Sequence, residues 1–217
     1  YMKVEVPSIR APLYDVAEAV SVVPPNALSK VSEPRSGYVV IGAGKTGIDA
    51  VLFLLDQGVD PDRIRWIMPN DAWLLDRSHI VPGRLSEGAG SRLKAFAESQ
   101  TLDEVMQRLE ADRSVLRLDE KVWPGNYRCA TVNREEFEEL KRVRNIVRLG
   151  RVKRIEGEAI VLEEGSVPTD GGWLYVDCTA DGLAKRDPRP VFEGDRITLQ
   201  SLTMCQQVFS ASLVGYV

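Results

Sequence analysis

The pattern of apolar and polar positions predicts an α/β protein. The run from Tyr38 to Ile41 is unbroken, and its β-branched and aromatic residues are typical of a strand buried on both faces of a parallel sheet. A turn with three glycines follows, and Ile48 to Leu55 then repeats apolar residues at helical spacing, with Gly58 placed to end the helix. A second strand is predicted over Ile64 to Met68. Together these elements have the size of one βαβ unit, about 30 residues.

The rest of the chain adds elements of both kinds. In order, the pattern predicts a loop over 69–90, helix over 91–113 with a break near 99–101, a strand over 128–132, a short helix capped by Asn133 and an antiparallel meander over 146–162. It then predicts an apolar strand over 173–182 that ends in small residues and a glycine, a turn at 193–195, a strand over 196–199 and an apolar stretch over 208–217. The predicted fold is therefore α/β, a Rossmann-like parallel sheet with an antiparallel β-meander and a helical insertion.

Three segments follow from these patterns. Residues 1–36 contain five prolines between positions 7 and 34, which predicts a linker with one short strand near residues 19–23. Residues 37–185 form the predicted nucleotide-binding domain, and residues 186–217 form a last segment. The chain begins with Tyr1 and not with a methionine, so we expect it to be a piece of a longer protein.

Composition narrows the function classes. The chain has 217 residues, of which 44% are hydrophobic and 28% charged, so it can bury a sizeable core. The net charge of −4 provides no basic field, which argues against a nucleic-acid partner. No apolar run approaches the roughly 20 residues of a membrane-spanning helix, so we expect no membrane partner and a cytoplasmic location. The sequence does not indicate the oligomeric state.

Metal and nucleophile chemistry finds little support. The three cysteines, Cys129, Cys178 and Cys205, form no Cys-x-x-Cys pair and are expected to be buried small side chains. His79 is the only histidine, which excludes a multi-histidine metal site. We therefore predict no metal ligands, and the catalytic residues remain unknown because no side chain stands out as a general acid or base.

The glycine turn is the strongest functional signal. In a Gly-x-Gly-x-x-Gly turn between strand and helix, the first glycine makes the tight turn, the second lets the backbone approach a pyrophosphate, and the third lets the helix lie close to the strand. The phosphates would bind free backbone amides at the helix N-terminus. The candidate pyrophosphate-binding residues are Gly42, Ala43, Gly44, Lys45, Thr46 and Gly47.

Part of this turn imitates the phosphate loop of nucleoside triphosphatases. That loop requires a glycine five positions before the glycine of Gly44-Lys45-Thr46, and the chain has Val39 there, inside the predicted strand. The spacing therefore favours a dinucleotide over a triphosphate. Lys45 is left as a cation at the rim of the turn.

The choice between NAD and NADP depends on the end of the second strand, where NAD-binding proteins commonly place an acidic residue. The sequence there contains Asn70, which could accept either cofactor, and Asp71, which favours NAD if it points inward. Arg77 could meet a 2′-phosphate if its loop folds back. The residues leave both cofactors open.

The return strand carries a family resemblance. The second strand-turn-helix unit, the helical insertion, the meander and the sequence Val176-Asp177-Cys178-Thr179-Ala180-Asp181-Gly182 together resemble the pyridine-nucleotide domain of flavoproteins with two dinucleotide-binding domains. The flavin-containing-monooxygenase-like and pyridine nucleotide-disulfide-oxidoreductase-like proteins are such families. In them this strand often ends in Ala-Thr-Gly, of which residues 178–182 are a degenerate version.

The resemblance implies cofactors and further site residues. Ala180 and Gly182 would lie at the return to an FAD domain, and Gly194-Asp195 is similar to a late Gly-Asp near the flavin. Residues 1–36 and 186–217 would then be crossings to that domain, whose N-terminal half precedes this chain. The family leans towards NADP, with FAD in the full-length protein.

The implied function is hydride transfer from NAD(P)H to FAD in an oxidoreductase that acts on an unknown small-molecule substrate. Two alternatives stay open. The first is a non-catalytic NAD(P)-binding module for redox sensing or assembly. The second is a nucleoside triphosphatase, which the spacing of the turn disfavours.

Overall fold

The computed structural model describes residues 6–33, 35–81, 83–180, 187, 189–200, 202 and 207–217. Its strands are β1 (Asp15–Val16), β2 (Val22–Val23), β3 (Gly37–Ile41), β4 (Ile64–Ile67), β5 (Ala72–Asp76), β6 (Val115–Leu116), β7 (Asn126–Val132), β8 (Asn145–Val147), β9 (Val152–Ile155), β10 (Ala159–Leu162), β11 (Gly165–Pro168), β12 (Trp173–Asp177), β13 (Phe192–Glu193) and β14 (Arg196–Ile197). Its helices are α1 (Pro25–Leu28), α2 (Lys45–Asp56), α3 (Leu85–Ala97), α4 (Leu102–Ala111), α5 (Arg134–Leu140) and α6 (Gln207–Tyr216). Short 3-10 turns cover Pro61–Arg63 and Arg77–His79.

A five-stranded parallel sheet with the order β2-β12-β3-β4-β8 lies at the centre. The glycine turn joins β3 to α2, and the chain returns in β4 beside β3, as a βαβ unit requires. The predicted strand-turn-helix-strand unit and the α/β class are both confirmed.

Both faces of the central sheet are covered, which explains why β3 is apolar throughout. Val40 points to one face, where it packs in a cluster with residues of α1, α2 and α5. Val39 and Ile41 point to the other face, where they join Ile155 and Ile160 of the meander. The chain therefore forms three layers, helices, parallel sheet and meander.

The meander differs in its start from the prediction. Residues of β8 were expected to begin it, but β8 pairs in parallel with β4, at the edge of the central sheet. The antiparallel meander is β9-β10-β11, and β1 from the N-terminal segment adds a parallel strand to β9. Gly150, with φ 76°, separates β8 from β9 and lets the chain leave one sheet for the other.

The predicted loop over 69–90 is wrong for much of its length. Residues 72–76 form β5, which pairs with β6 and β7 in a three-stranded sheet, and α3 begins at Leu85. The strand exists because Trp73 and Leu75 are buried against α3 and α4, in a cluster with Val105 and Leu109. The polar residues at either end of this short apolar run suggested turns, but its tertiary neighbours decide its conformation.

The helical insertion agrees with the sequence pattern. Helix α3 ends at Ala97 and α4 begins at Leu102, which confirms the predicted break. The Thr101 hydroxyl caps α4 by accepting the Glu104 N–H at 3.2 Å. At α5 the predicted cap Asn133 forms a full capping box with Glu136.

The flanking segments contribute to separate sheets. The N-terminal region supplies β1 to the meander and β2 to the central sheet, the latter within the strand predicted near residues 19–23. Gly194, with φ 58°, forms the predicted turn between β13 and β14, and α6 occupies the last apolar stretch. Within the described ranges, no helix combines the length and apolarity needed to cross a membrane.

Candidate functional site

The carboxyl ends of β3, β4 and β12 meet at one edge of the central sheet. From β3 the chain passes through α2 to β4 on one side, whereas β12 lies on the other side. Such a reversal of strand order leaves a crevice, and open α/β sheets bind ligands there. The Gly42 N–H donates to the Ile67 carbonyl at 3.0 Å, and the Cys178 N–H donates to the Ile41 carbonyl at 2.9 Å. The glycine turn is thus enclosed between the loops after β4 and β12.

Gly42 is fixed by its backbone and by its neighbours. Its φ of 122° disfavours any residue with a side chain, and an added Cβ would lie 3.0 Å from the Cys178 carbonyl oxygen. The buried indole of Trp66 donates its Nε1–H to the Gly42 carbonyl at 2.8 Å. Trp66 therefore holds the turn in place from within the core.

Gly47 and Gly44 have different surroundings. A Cβ on Gly47 would come within 2.1 Å of the Gly42 carbonyl oxygen, so the first turn of α2 packs directly against the glycine turn. Among the residues that the structure describes, a Cβ on Gly44 would meet nothing within 4 Å, and Gly44 has an ordinary extended backbone with φ −82°. Folding requires glycine at 42 and 47, whereas at 44 the missing side chain leaves open space in front of the helix.

The N-terminus of α2 faces that space. The first hydrogen bond of the helix runs from the Ile48 N–H to the Gly44 carbonyl at 3.1 Å, and Gly44 provides no side-chain cap. The amides of residues 45–47 precede the helical ladder, at the positive end of the helix dipole. Lys45 forms an ion pair with Asp49, one helical turn along, and Thr46 is exposed.

Arg77 lies beside α5. Its guanidinium contacts both carboxylate oxygens of Glu136, at 3.0 and 3.2 Å. Burial alone would raise the pKa of Glu136, but hydrogen bonds from the Asn133 N–H and Arg77, with the charges of Arg77 and Lys45, lower it overall. The predicted residues Lys45 and Arg77 are therefore brought near one carboxylate, which occupies the Arg77 fork.

The end of β4 is built around an ion pair that was not predicted. Asn70 is exposed, while the buried carboxylate of Asp71 accepts two hydrogen bonds from Arg148, at 2.8 and 3.0 Å. Arg148 follows β8 and also lies 3.4 Å from the carboxylate of Asp119. Its hydrogen bond with Asp71 raises the pKa of Arg148. Asp71 does point inward, but towards arginine.

The end of β12 forms a second buried polar group. One carboxylate oxygen of Asp177 accepts the Thr179 N–H at 2.9 Å and the Thr179 hydroxyl at 2.5 Å. Its other oxygen has no hydrogen-bond partner in the part of the chain that the structure describes, and it lies 3.8 Å from Nη1 of Arg10. Arg10 donates through Nη2 to the Thr179 carbonyl at 2.7 Å and to its hydroxyl at 3.2 Å. The N-terminal segment is thereby attached to the loop after β12.

Two acidic groups here are held in their neutral forms. Burial, and then the carboxylate of Asp177, raise the pKa of Tyr14. Burial, followed by the charges of Asp177 and Asp49, raises the pKa of Cys178 to about 12. Cys178 is buried as predicted and is not a thiolate at neutral pH. The prediction is wrong for Cys129, which is exposed, and Cys205 lies outside the described residues.

The residues suggested by the family resemblance are more scattered. Ala180 lies half-buried two residues beyond Cys178, and Gly182 falls outside the described residues. Gly194 and Asp195 are exposed at the tip of the β13-β14 hairpin, which is a sheet of its own. The structure places the glycine turn, Asn70 and Ala180 on loops at the same end of the central sheet.

Several residues at this edge gave no recognisable signal in the sequence. Arg10 lies in the proline-rich segment, 169 positions before its partner Thr179, and Arg148 lies 77 positions after Asp71. Only the spacing Asp177-x-Thr179 offered a local clue, since an Asp side chain commonly accepts the N–H two residues on. Trp66 is buried in the core.

Comparison with known proteins identifies relatives but no function. No protein-family model matches the chain. It is 47% identical over 222 residues to uncharacterized proteins of Mycobacterium bovis and of Mycobacterium tuberculosis strain H37Rv. The alignments cover the whole of this chain and 41% of each relative. The chain therefore spans about two fifths of the length of these relatives.

One solved structure shows a slight likeness. The crystal structure of L-lysine 6-monooxygenase from Pseudomonas syringae aligns with 76% of this chain and 41% of its own, at 12% identity and a TM-score of 0.35. A likeness at this level assigns neither a fold nor an activity.

Proposed function

We propose that this chain binds a nicotinamide dinucleotide at the glycine turn and serves as the nicotinamide-nucleotide part of a flavin-dependent oxidoreductase. The observation that carries the proposal is the contrast among the three glycines. Gly42 and Gly47 are required by packing, whereas Gly44 leaves space that packing does not need. A pyrophosphate placed there would approach the backbone as the dinucleotide turn permits.

The residues present fit such a group. The amides of residues 45–47 can donate to phosphate oxygens, and the helix dipole of α2 favours their negative charge. Lys45 lies at the rim, where its ammonium group could turn from Asp49 to a phosphate. The loop after β4 lies where the second strand of such a unit normally contacts the adenosine ribose.

When bound, the nicotinamide supplies a hydride and a flavin accepts it. This chain's part is to bind the dinucleotide and to orient it. The buried, protonated thiol of Cys178 is unsuited to act as a nucleophile. Trp66 fixes the turn through the Gly42 carbonyl, and Arg10 ties the loop after β12 to the N-terminal segment.

Flavin binding and the reaction with a substrate are proposed for the longer protein and not for this chain alone. They rest on the resemblance of the return strand to two-nucleotide flavoproteins. Absorbance spectroscopy of a full-length relative tests them: the proposal predicts bound FAD, bleached on adding NADH or NADPH without oxygen. A full-length protein that binds the nicotinamide nucleotide but holds no flavin would instead support the non-catalytic module.

Nucleotide binding to this chain is tested by calorimetry with NADH and NADPH. Gly44→Glu should weaken binding at least about tenfold, because its carboxylate would fill the phosphate space and repel the phosphates. Gly90→Glu is the matched control, since Gly90 lies in α3 with open space around it. The control should bind like the parent. Equal binding by Gly44→Glu and the parent would contradict the site, and magnesium-dependent ATP binding without a response to either nucleotide would favour the triphosphatase.

A further inference from the structure

The charged residues near the carboxyl end of β4 bear on whether the site accepts NAD(H) or NADP(H). If the pyrophosphate lies at the glycine turn, as in the proposed function on which this inference rests, the adenosine ribose extends towards the end of β4. The register supports this, because Ile41 pairs with Ile67 and the Gly42 N–H bonds the Ile67 carbonyl. A 2′-phosphate would therefore meet the loop after β4 and the adjoining end of β8.

Arg148, a basic residue near the carboxyl end of β4, is already paired with carboxylates. Arg148 uses Nε and Nη2 to bind Asp71, and Nη2 also lies 3.4 Å from Asp119. One guanidinium thus faces two carboxylates, so this group carries a net negative charge. Asp71 is buried, and separating it from Arg148 would leave an unpaired carboxylate in the interior, which is strongly unfavourable.

The two cations that the sequence suggested, Lys45 and Arg77, are also paired. Glu136 occupies the fork of Arg77 with two contacts, and Asp49 pairs with Lys45. Binding a phosphate through Arg77 would require breaking its contacts to a carboxylate that also caps α5. Arg77 and Arg148 thus each bind a carboxylate through two nitrogen atoms. A 2′-phosphate would have to compete with that carboxylate for the bidentate contact that arginine commonly makes.

We infer that this chain takes NAD(H) in preference to NADP(H), and that Asp71 and Asp119 are the residues that disfavour the 2′-phosphate. The 2′-phosphate adds about 1.5 to 2 negative charges at neutral pH, if it titrates like a phosphorylated side chain. Those charges would lie beside two carboxylates and an occupied arginine. A ribose 2′-hydroxyl brings no such repulsion and can donate a hydrogen bond to the exposed Asn70 or to Asp119.

Calorimetric titration of the chain tests the inference. ADP-ribose and its 2′-phosphorylated form serve as probes beside NADH and NADPH, because they isolate the adenosine end. We expect each non-phosphorylated ligand to bind at least about tenfold more tightly than its phosphorylated partner. Asp119→Asn should strengthen binding of the phosphorylated ligands about two- to fivefold, as expected for a partly exposed charge.

Asp62→Asn is the matched control, since Asp62 is exposed and lies at the opposite, amino end of β4. It should leave the ratio of affinities unchanged. Binding of the phosphorylated ligands as tight as, or tighter than, the others would overturn the inference and leave the proposed function standing. An equal gain in Asp119→Asn and Asp62→Asn would overturn the role of Asp119. Absence of binding by all four ligands would overturn the proposed function itself.

Discussion

Gly42, Gly44 and Gly47 lie within six residues, yet each lacks a side chain for a different physical reason. Gly42 has a backbone conformation that L-residues rarely adopt, and Gly47 has no room for a Cβ against the Gly42 carbonyl. Gly44 has an ordinary φ, and no described residue would contact a Cβ placed there. The residue for which the fold offers no reason is the one that a ligand would explain.

This difference predicts that two alanine substitutions change the stability of the protein by different amounts. Gly47→Ala should lower the free energy of unfolding by about 1–3 kcal/mol, because its Cβ cannot fit without moving the backbone. Gly44→Ala should change it by less than about 1 kcal/mol, as expected for an N-cap without steric conflict. Urea denaturation followed by tryptophan fluorescence measures both. A Gly47→Ala protein as stable as the parent would mean that α2 does not pack closely on the turn.

The role of a single residue could be predicted from the sequence where that role depends on neighbouring residues in the chain. The glycines, the cap Asn133 and the core position of Trp66 all follow from backbone geometry or from apolar pattern within a few residues. Arg10 and Arg148 could not be predicted as parts of the site. Their carboxylate partners are distant in sequence, and nothing near either arginine specifies them.

At the scale of elements, α5 connects the segment after β5 to the end of the sheet that carries the glycine turn. The Glu136 carboxylate has two roles. It accepts the Asn133 N–H at 2.8 Å as part of the capping box, and it also binds Arg77 from the turn after β5. The side chain of Asn133 accepts the Glu136 N–H at 2.7 Å in return. One carboxylate therefore stabilises the start of a helix and fixes the segment after β5.

This arrangement predicts a pH dependence. The pKa of Glu136 is lower in the folded protein than its ordinary value of 4.5, so its contribution to stability is present above that value and is lost as pH falls through the folded pKa. Glu136→Gln should lower the free energy of unfolding at pH 7 by about 1 kcal/mol and flatten its decline below pH 4.5. Urea denaturation from pH 7 to pH 3 measures this. Glu135→Gln, an exposed neighbour in the same turn, is the control, and equal curves for the two variants would refute the role of Glu136.

The elements also show where the sequence pattern is insufficient. The strand β3 and helix α2 were evident because an apolar run, a turn and a helical repeat follow one another directly. The strand β5 was missed because its short apolar run lies between aspartates and resembles a loop. The sheet that β8 joins is decided by its pairing with β4, about 80 residues away in sequence, and period-two patterning cannot specify a partner.

For the molecule as a whole, the layers could be predicted from the sequence, whereas the contacts that connect distant segments could not. An apolar strand with no polar face requires cover on both sides, and helices and meander supply it. The attachment of the N-terminal segment to β9, β12 and the loop after β12 depends on contacts across most of the chain. The division into segments 1–36, 37–185 and 186–217 stays a prediction.

Charged residues from distant parts of the chain surround the glycine turn, and each of the cations has a nearby carboxylate. Each of the four cations Arg10, Lys45, Arg77 and Arg148 has a carboxylate within 4 Å. A phosphate at the turn would therefore rely mainly on backbone amides and the helix dipole. That dependence makes the amides themselves the best reporters of binding.

The most direct test is an NMR titration of the ¹⁵N-labelled chain with ADP-ribose. We expect the largest shifts among backbone amides at residues 44–47, with smaller ones in the loops after β4 and β12. The amide of Gly90 in α3 should not move. Saturable binding that shifts the amides of residues elsewhere and leaves those of the glycine turn unchanged would show that this turn does not hold the pyrophosphate.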